Sequence, residues 1–432
     1  MTQIEPAART GSKQAVSGSA TRFETLDSWR GICALLVAMM HFPVSGMFGE
    51  SLVVRNAFLF VDYFFVLSGF VIAHGYSDRV REGVDLARFL VVRFGRIYPL
   101  HIAVLGLFVA FEALRWGVPL LRGDGAAPFT DGNSVTELLT SMALLNGLGI
   151  ETQLTWNGPS WSISAEMWTY VLFGLALLAL GRRLWIVLVP AIVAGPVILY
   201  LYSPHLMDAT YDYGFVRCIY GFSLGALLHR LTISDLLRRR AAAVAAPGMS
   251  RLGWTIAEIA AVVAIMAFVA VLARGPWGLA APVLFAAALW LFANERGLVS
   301  AALKRPAFLW LGALSYGIYM VHIFVQGRMI NAATLAEKVT GLDLVGPFAI
   351  RGQDFYGFGV AGDMVAAFAM AAMIGAVIAV AFAAHFAIER PFQRLSRRLA
   401  ARLGTQRAAT PVSARRWALA LGQHEGRAHP ML

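Results

Sequence analysis

The chain has 432 residues, of which 58% are hydrophobic and 14% are charged, and its formal net charge is +11. No soluble domain exposes such a composition to water, so we expect a membrane protein. Its basic residues form short clusters between hydrophobic runs, a pattern typical of membrane topology that argues against nucleic acid as a partner. The only cysteines, Cys33 and Cys218, lie in apolar segments, which excludes a disulfide framework.

The polar first residues lead directly into a hydrophobic segment that carries Arg30 and His41. This pattern differs from the short apolar core and small-residue cleavage site of a signal peptide, so we expect a retained first span. We predict a flexible cytoplasmic N-terminus at residues 1–22, a transmembrane domain at 23–395 and a basic cytoplasmic tail at 396–432.

Apolar stretches of bilayer-spanning length predict an all-α bundle of about ten transmembrane helices. With both termini cytoplasmic, most of the 36 Lys and Arg residues fall on the inner side, as the positive-inside rule requires. Two outer segments, roughly 115–165 and 328–361, are longer than ordinary connecting loops, and we expect them to fold against the bundle. The predicted spans lie near residues 29–48, 57–76, 97–114, 166–181, 184–202, 213–229, 254–273, 277–293, 307–327 and 362–386.

Three ionisable residues share one face of the first predicted helix. Asp27 lies one turn before Arg30, and His41 lies about 16 Å beyond Arg30 along the helix axis. An ionisable group inside a bilayer is costly unless it faces a cavity or a partner, so each is a functional hypothesis. Arg30 could be an interfacial anchor with Asp27 as its counterion. His41 is deeper and suits proton abstraction from a hydroxyl, while nucleophilic and structural roles stay open.

Arg93 and Arg96 end a predicted cytoplasmic segment with five arginines, and they lie one helical turn apart. Guanidinium groups bind phosphate oxygens through paired hydrogen bonds, which makes this edge a candidate phosphate site. Contact with anionic lipid headgroups is the alternative. The sequence has no Walker-type phosphate loop, so nucleotide hydrolysis is not expected.

Further polar residues in the spans are candidates for a cavity or an acceptor site. Ser162 and Glu166 share a helix face, although a carboxylate near a helix start is also stabilised by the helix dipole. Asp62 is a candidate acid. The Glu389–Arg390–Pro391 segment is expected to be a turn without chemistry, and without His-x-x-x-His or Cys-x-x-Cys spacing within a span we expect no metal site. The cavity or acceptor candidates are Ser68, Trp161, Ser162, Glu166, Tyr319 and His322.

Six segments in order resemble the motifs of the acyltransferase 3 family, and the resemblance covers about residues 23–395. It implies an integral membrane enzyme that moves an acyl group, commonly acetyl from acetyl-CoA, onto a hydroxyl of a bacterial envelope carbohydrate or glycolipid. The family's arginine, ten-residue spacer and histidine correspond to Arg30 and His41, and its paired arginines to Arg93 and Arg96. The segments are Leu26 to Arg30 with His41, Phe64 to Phe70, Arg93 to Pro99, Trp161 to Glu166, Leu314 to Tyr319 with His322, and Glu389 to Phe392.

From this resemblance we expect a multi-pass protein of the bacterial inner membrane that uses acyl-CoA as donor substrate and holds no bound cofactor. The phosphates of acyl-CoA would lie on Arg93 and Arg96, and His41 would remove the proton of the acceptor hydroxyl. Asp27 and Arg30 would orient the donor, and an acyl-histidine relay is the variant. A polytopic transporter and a non-catalytic export partner for an envelope glycan are the alternatives. The acceptor, the acyl group and the oligomeric state stay open.

Overall fold

A computed structural model of the protein describes residues 23–117, 127–241 and 249–403, with only the backbone at 233–241. The predicted N-terminus at 1–22 lies outside the described residues, as does the tail from 404 onward. Within the described residues the chain is a helical bundle with one small β-hairpin. The helices are α1 (Glu24–His41), α2 (Gly46–Glu50), α3 (Leu52–Arg55), α4 (Phe60–Tyr76), α5 (Gly83–Gly117), α6 (Val135–Met142), α7 (Trp161–Leu180), α8 (Trp185–Tyr202), α9 (Gly214–Ala241), α10 (Arg251–Leu272), α11 (Ala281–Ala293), α12 (Leu298–Leu303), α13 (Pro306–Thr340), α14 (Asp363–Ala384) and α15 (Arg390–Arg402).

In the part of the chain that the structure describes, eight helical segments are long and apolar enough to cross a bilayer. The long helices α1 and α9 are not among them and carry charged residues, yet α1 packs along α13 and α9 packs along α4. The structure therefore confirms a helical protein with several membrane-spanning segments. The count of ten spans and the cytoplasmic position of both termini stay predictions.

Two helices differ from their predicted bounds in ways that affect the site. Helix α1 begins at Glu24 and ends at His41, not at residue 48 as predicted. It ends there because a residue before proline disfavours helical geometry, and Phe42, which precedes Pro43, is extended. His41 is therefore the last residue of its helix. Helix α5 begins at Gly83, so Arg93 and Arg96 lie inside a continuous helix rather than at the end of a loop.

The outer segment predicted at 115–165 folds against the bundle, as expected. Its helix α6 begins with a capping box in which Ser134 and Glu137 bond each other's backbone N–H groups. From α5, the Tyr98 hydroxyl donates to the Met142 carbonyl at 3.1 Å, and His101 Nε2 lies 2.9 Å from the Ser141 carbonyl oxygen. These contacts hold the described part of the segment beside α5.

The second outer segment contains the one described departure from the predicted all-helical fold. Strands β1 (Gly346–Ile350) and β2 (Gln353–Gly357) form an antiparallel hairpin after α13. The hairpin is joined to the residues after α1, because Phe358 N–H donates to the Pro43 carbonyl at 3.0 Å and Ser45 N–H donates to the Phe358 carbonyl at 2.9 Å. The hairpin therefore lies next to the end of α1 that carries His41.

Glycines allow a close contact between α4 and α9. A Cβ atom at Gly69 would overlap the Phe222 carbonyl, and one at Gly225 would overlap the Val66 carbonyl. Small residues at such interfaces let backbones approach closely in membranes. Gly69 is therefore a packing residue of this contact.

We expect Gly225→Ala to destabilise the protein by roughly 1–3 kcal/mol, the usual range for overpacking, because the added methyl group meets backbone that cannot move aside. Thermal unfolding in detergent micelles measures the effect. Gly106→Ala in α5 is the matched control, since a Cβ atom there meets no atom within 4 Å. Equal melting temperatures for the two variants would contradict the close contact.

Candidate active site

Seven helical elements line a cavity of about 520 Å³. Its polar wall combines arginines, carboxylates and hydroxyl groups, while the α4 side contributes mainly Phe, Leu, Val and Ile side chains. The structure brings most of the predicted site residues together in this cavity, and His41, Trp161 and His322 are outside its lining. The predicted residues that line it are Asp27, Arg30, Ser68, Arg93, Arg96, Ser162, Glu166 and Tyr319.

Arg30 is fixed against α13 as well as against its own helix. Its Nε donates to Ser315 Oγ at 2.7 Å and its Nη2 donates to the Gly312 carbonyl at 3.1 Å. Asp27 Oδ1 lies 3.6 Å from Nη2, in the predicted one-turn pairing. Hydrogen bonds to a second helix are not expected of an arginine that only anchors its helix at the membrane interface. The geometry instead gives Arg30 a set orientation at the cavity wall.

Arg93 and Arg96 both line the cavity from α5 but differ in their partners. Arg93 donates from Nη2 to the Tyr76 hydroxyl at 3.2 Å, and its guanidinium lies 5.3 Å from the Tyr76 ring centre. Its Nε is buried without a partner among the described residues. Arg96 makes no hydrogen bond or ion pair with the described residues. The pair therefore retains donors that an anionic ligand can use.

On the α7 side of the cavity, Glu166 belongs to a hydrogen-bonded chain. The Tyr170 hydroxyl donates to Glu166 Oε1 at 2.7 Å, and Ser68 Oγ lies 2.7 Å from the same hydroxyl. Because Tyr170 donates to the carboxylate, it accepts from Ser68. Glu166 lies in the second turn of α7, and the Tyr170 bond rather than the helix dipole alone accounts for its orientation.

Tyr319 lines the cavity and lies beside one of two paired histidines. Its hydroxyl lies 2.8 Å from Ser162 Oγ and donates to the Pro159 carbonyl at 3.1 Å. Its ring centre lies 5.9 Å from that of His322, which is fully buried. Ser162 and Tyr319 thus hold α7 and α13 together where the cavity ends.

His41 and His322 form a pair, with His41 Nδ1 3.2 Å from His322 Nε2. His322 Nδ1 lies 3.3 Å from the Ile318 carbonyl oxygen, and His41 Nδ1 lies 2.9 Å from the Val37 carbonyl oxygen. A carbonyl oxygen only accepts, so in the neutral pair both Nδ1 atoms carry the proton. The single Nδ1–H of His41 is then shared between the Val37 carbonyl oxygen and His322 Nε2, which both accept from it. This arrangement leaves the lone pair of His41 on Nε2. The side chain of His41 is only partly buried.

One candidate, Asp62, belongs to a separate buried ion pair, and a second candidate, Trp161, packs on that pair. Asp62 is bound by Arg217, with Nε to Oδ1 at 2.9 Å and Nη2 to Oδ2 at 2.8 Å, and both side chains are fully buried. The Arg217 guanidinium also lies 5.5 Å from the Trp161 ring centre. Asp62 is therefore occupied by a structural partner rather than available as an acid, and Trp161 packs on that pair.

The interpretation of Glu389–Arg390–Pro391 as a turn is wrong. The chain forms a π-helical turn at His385–Glu389 that joins α14 directly to α15. His385 and Glu389 both line the cavity, and His385 Nδ1 lies 3.2 Å from Glu389 Oε2. The sequence contained a signal for them, an ionisable pair four residues apart at the end of an apolar span. Helix α15 continues across the boundary predicted at residue 395, and Ser396 is buried.

Comparison with known proteins decides which family these residues belong to. The family model described as "Acyltransferase domain", that of the acyltransferase 3 family, matches residues 23–386, most of the chain. The chain belongs to the acyltransferase 3 family. The matched region runs from the start of α1 into the π-helical turn, so it includes every predicted site residue of this acyltransferase.

Two curated proteins are similar to parts of this acyltransferase. "Protein 2 in picA locus" of Rhizobium radiobacter is 34% identical over 155 residues, which is 34% of this chain and 78% of that protein. "Acyltransferase MdmB" of Streptomyces mycarofaciens is 30% identical over 179 residues, which is 38% of this chain and 42% of that protein. No solved structure matches the chain significantly. Together with the family, these findings identify a multi-pass membrane transferase of the acyltransferase class.

Proposed function

We propose that the protein transfers an acyl group, with acetyl favoured, from acyl-CoA to a hydroxyl of a carbohydrate or glycolipid of the bacterial envelope. Its place would be the inner membrane, with donor and acceptor meeting inside the bundle. The observation that carries the proposal is the histidine pair at the end of α1, in which the Val37 carbonyl and His322 direct the lone pair of His41 to Nε2. An oriented imidazole of this kind suits general-base catalysis.

In the proposed step, His41 alone takes up and returns the proton. His41 Nε2 takes the proton of the acceptor hydroxyl while that oxygen attacks the thioester carbonyl carbon. The C–S bond breaks, the new ester forms, and the leaving thiolate takes the proton back from the imidazolium. The products are an O-acylated acceptor and free CoA, and the imidazole is restored.

The arginines of the cavity support an acyl-CoA donor. Arg93 and Arg96 offer free N–H groups that match phosphate oxygens. Arg30 and His41 are eleven residues apart on α1, about 16 Å along the axis. A donor whose phosphates bind the arginines and whose thioester reaches His41 must therefore be long. The extended pantetheine arm of CoA separates these two parts of the donor.

The direct test incubates membrane vesicles that contain the protein with acetyl-CoA labelled in the acetyl group and with an envelope glycan fraction. We expect alkali-labile label in the glycan and one free thiol of CoA for each ester formed. Transport of a solute without ester or thiol would favour the transporter alternative. Ester formation that needs a second protein would favour the export partner.

We expect Arg96→Gln to raise the KM for acetyl-CoA about tenfold or more, because a charge-assisted hydrogen bond contributes roughly 1.5–3 kcal/mol. The effect on kcat should be smaller, since phosphate contacts remain the same in the transition state. Steady-state kinetics in vesicles separates the two constants. Arg182→Gln is the control, because Arg182 is exposed and does not line the cavity. An unchanged KM for Arg96→Gln would contradict this phosphate site.

A further inference from the structure

The π-helical turn at His385–Glu389 changes the direction of two ionisable side chains. Such turns are rare and frequent at functional sites. Its local cause is Pro391, which lacks the N–H that would bond the Ala387 carbonyl and whose ring crowds that carbonyl. The widened turn leaves His385 and Glu389 in the cavity wall, where the proposed reaction gives neither of them a part.

Among the described residues, one oxygen of the Glu389 carboxylate has a hydrogen-bond partner and the other has none. Oε2 lies 3.2 Å from His385 Nδ1, whereas Oε1 is buried and has no hydrogen-bond partner among the described residues. The residue is only 4% exposed. No described arginine of the cavity wall lies within ion-pair distance of it, and the charges of Arg96 and Arg30 act on it only from farther away. A buried acceptor without a donor is costly unless a ligand supplies one.

Helix α13 makes room for this oxygen. A Cβ atom at Gly317 would lie 3.1 Å from Glu389 Oε1, closer than side-chain contacts normally allow. Gly317 is five residues from Gly312, which accepts from Arg30, and five residues from His322, which bonds His41. Each interval is about 7.5 Å along the helix axis. Along the axis of α13, Glu389 Oε1 therefore lies about midway between Gly312, which bonds Arg30, and His322, which bonds His41.

We infer that Glu389 Oε1 accepts a hydrogen bond from an amide N–H of the pantetheine arm of acyl-CoA. This inference rests on the proposed function. A carboxylate oxygen repels phosphate and requires an N–H or O–H donor. The phosphates would lie at the arginines and the thioester near His41, so the part of the donor that passes Glu389 is the arm between them, which carries amide groups.

The test compares two probes, CoA and 3′-phosphoadenosine 5′-diphosphate, which shares the three phosphates and the adenine of CoA but lacks the arm. Binding of each probe is measured calorimetrically with the full chain in nanodiscs. We expect Glu389→Leu to weaken CoA binding at least tenfold and to leave the affinity for 3′-phosphoadenosine 5′-diphosphate within twofold. Glu389→Gln retains an acceptor oxygen and should recover part of the CoA affinity.

A second pair of variants leaves the carboxylate in place. Gly317→Ala should displace Glu389 Oε1 and weaken CoA selectively, whereas Gly327→Ala in the same helix meets no atom within 4 Å and should not. Unchanged CoA affinity in both folded Glu389→Leu and folded Gly317→Ala would overturn the inference, as would equal weakening of the two probes. If the native protein binds neither probe, the proposed function itself fails.

Discussion

His41→Ala is expected to lower acyl transfer by roughly 10²–10⁴-fold, the usual contribution of a general base. CoA binding should stay within about twofold, because His41 does not line the arginine cavity. His41→Gln should lose as much activity as His41→Ala, since an amide cannot take the proton. The measurement is ester formation from labelled acetyl-CoA at saturating donor, together with calorimetric CoA binding in nanodiscs.

His101→Gln is the matched control for this prediction. His101 is also a buried histidine of the bundle, but its Nε2 bonds the Ser141 carbonyl, a contact that glutamine can replace. We expect near-normal transfer from this variant. Normal transfer from a well-folded His41→Ala protein would remove the catalytic assignment and favour the non-catalytic partner.

Much of the helical bundle could be predicted because a bilayer requires about twenty apolar residues for each span. Apolarity does not mark where a helix ends, however. Helices α5 and α13 each run for 35 residues and pass well beyond their predicted spans. The hairpin β1–β2 was not predicted, since its strands are only five residues long and the segment is joined to residues 43–45 by contacts that no local pattern shows.

The site was predictable where its residues are close in sequence. One-turn spacing correctly paired Asp27 with Arg30. Spacing within one helix carries no information on which helices face each other, so the contact between His41 and His322, 281 residues apart, had no sequence signal. Glu389 was assigned to a turn because proline usually ends a helix, whereas here Pro391 follows a π-helical turn.

The buried pair of Asp62 and Arg217 gives the largest expected effect on stability. It joins α4 to α9, and two further Arg217 bonds reach the Ala209 and Phe58 carbonyls at 2.9 and 2.7 Å. Breaking a buried pair leaves one charge without compensation in a low-dielectric interior. We expect Arg217→Met to lower the free energy of unfolding by roughly 3–5 kcal/mol. Thermal or denaturant unfolding in micelles measures the loss.

The double variant Asp62→Leu/Arg217→Met separates charge from packing. Because it removes both charges together, it should be more stable than Arg217→Met alone, and the difference gives the coupling energy in a double-mutant cycle. The partly exposed pair of Asp85 and Arg88, at 3.3 Å, is the control, and Asp85→Asn should change stability by about 0–1 kcal/mol. A coupling near zero for Asp62 and Arg217 would mean that water reaches the pair. The contact between α4 and α9 would then depend on its glycines and on its aromatic contacts, such as that of Phe70 with His229.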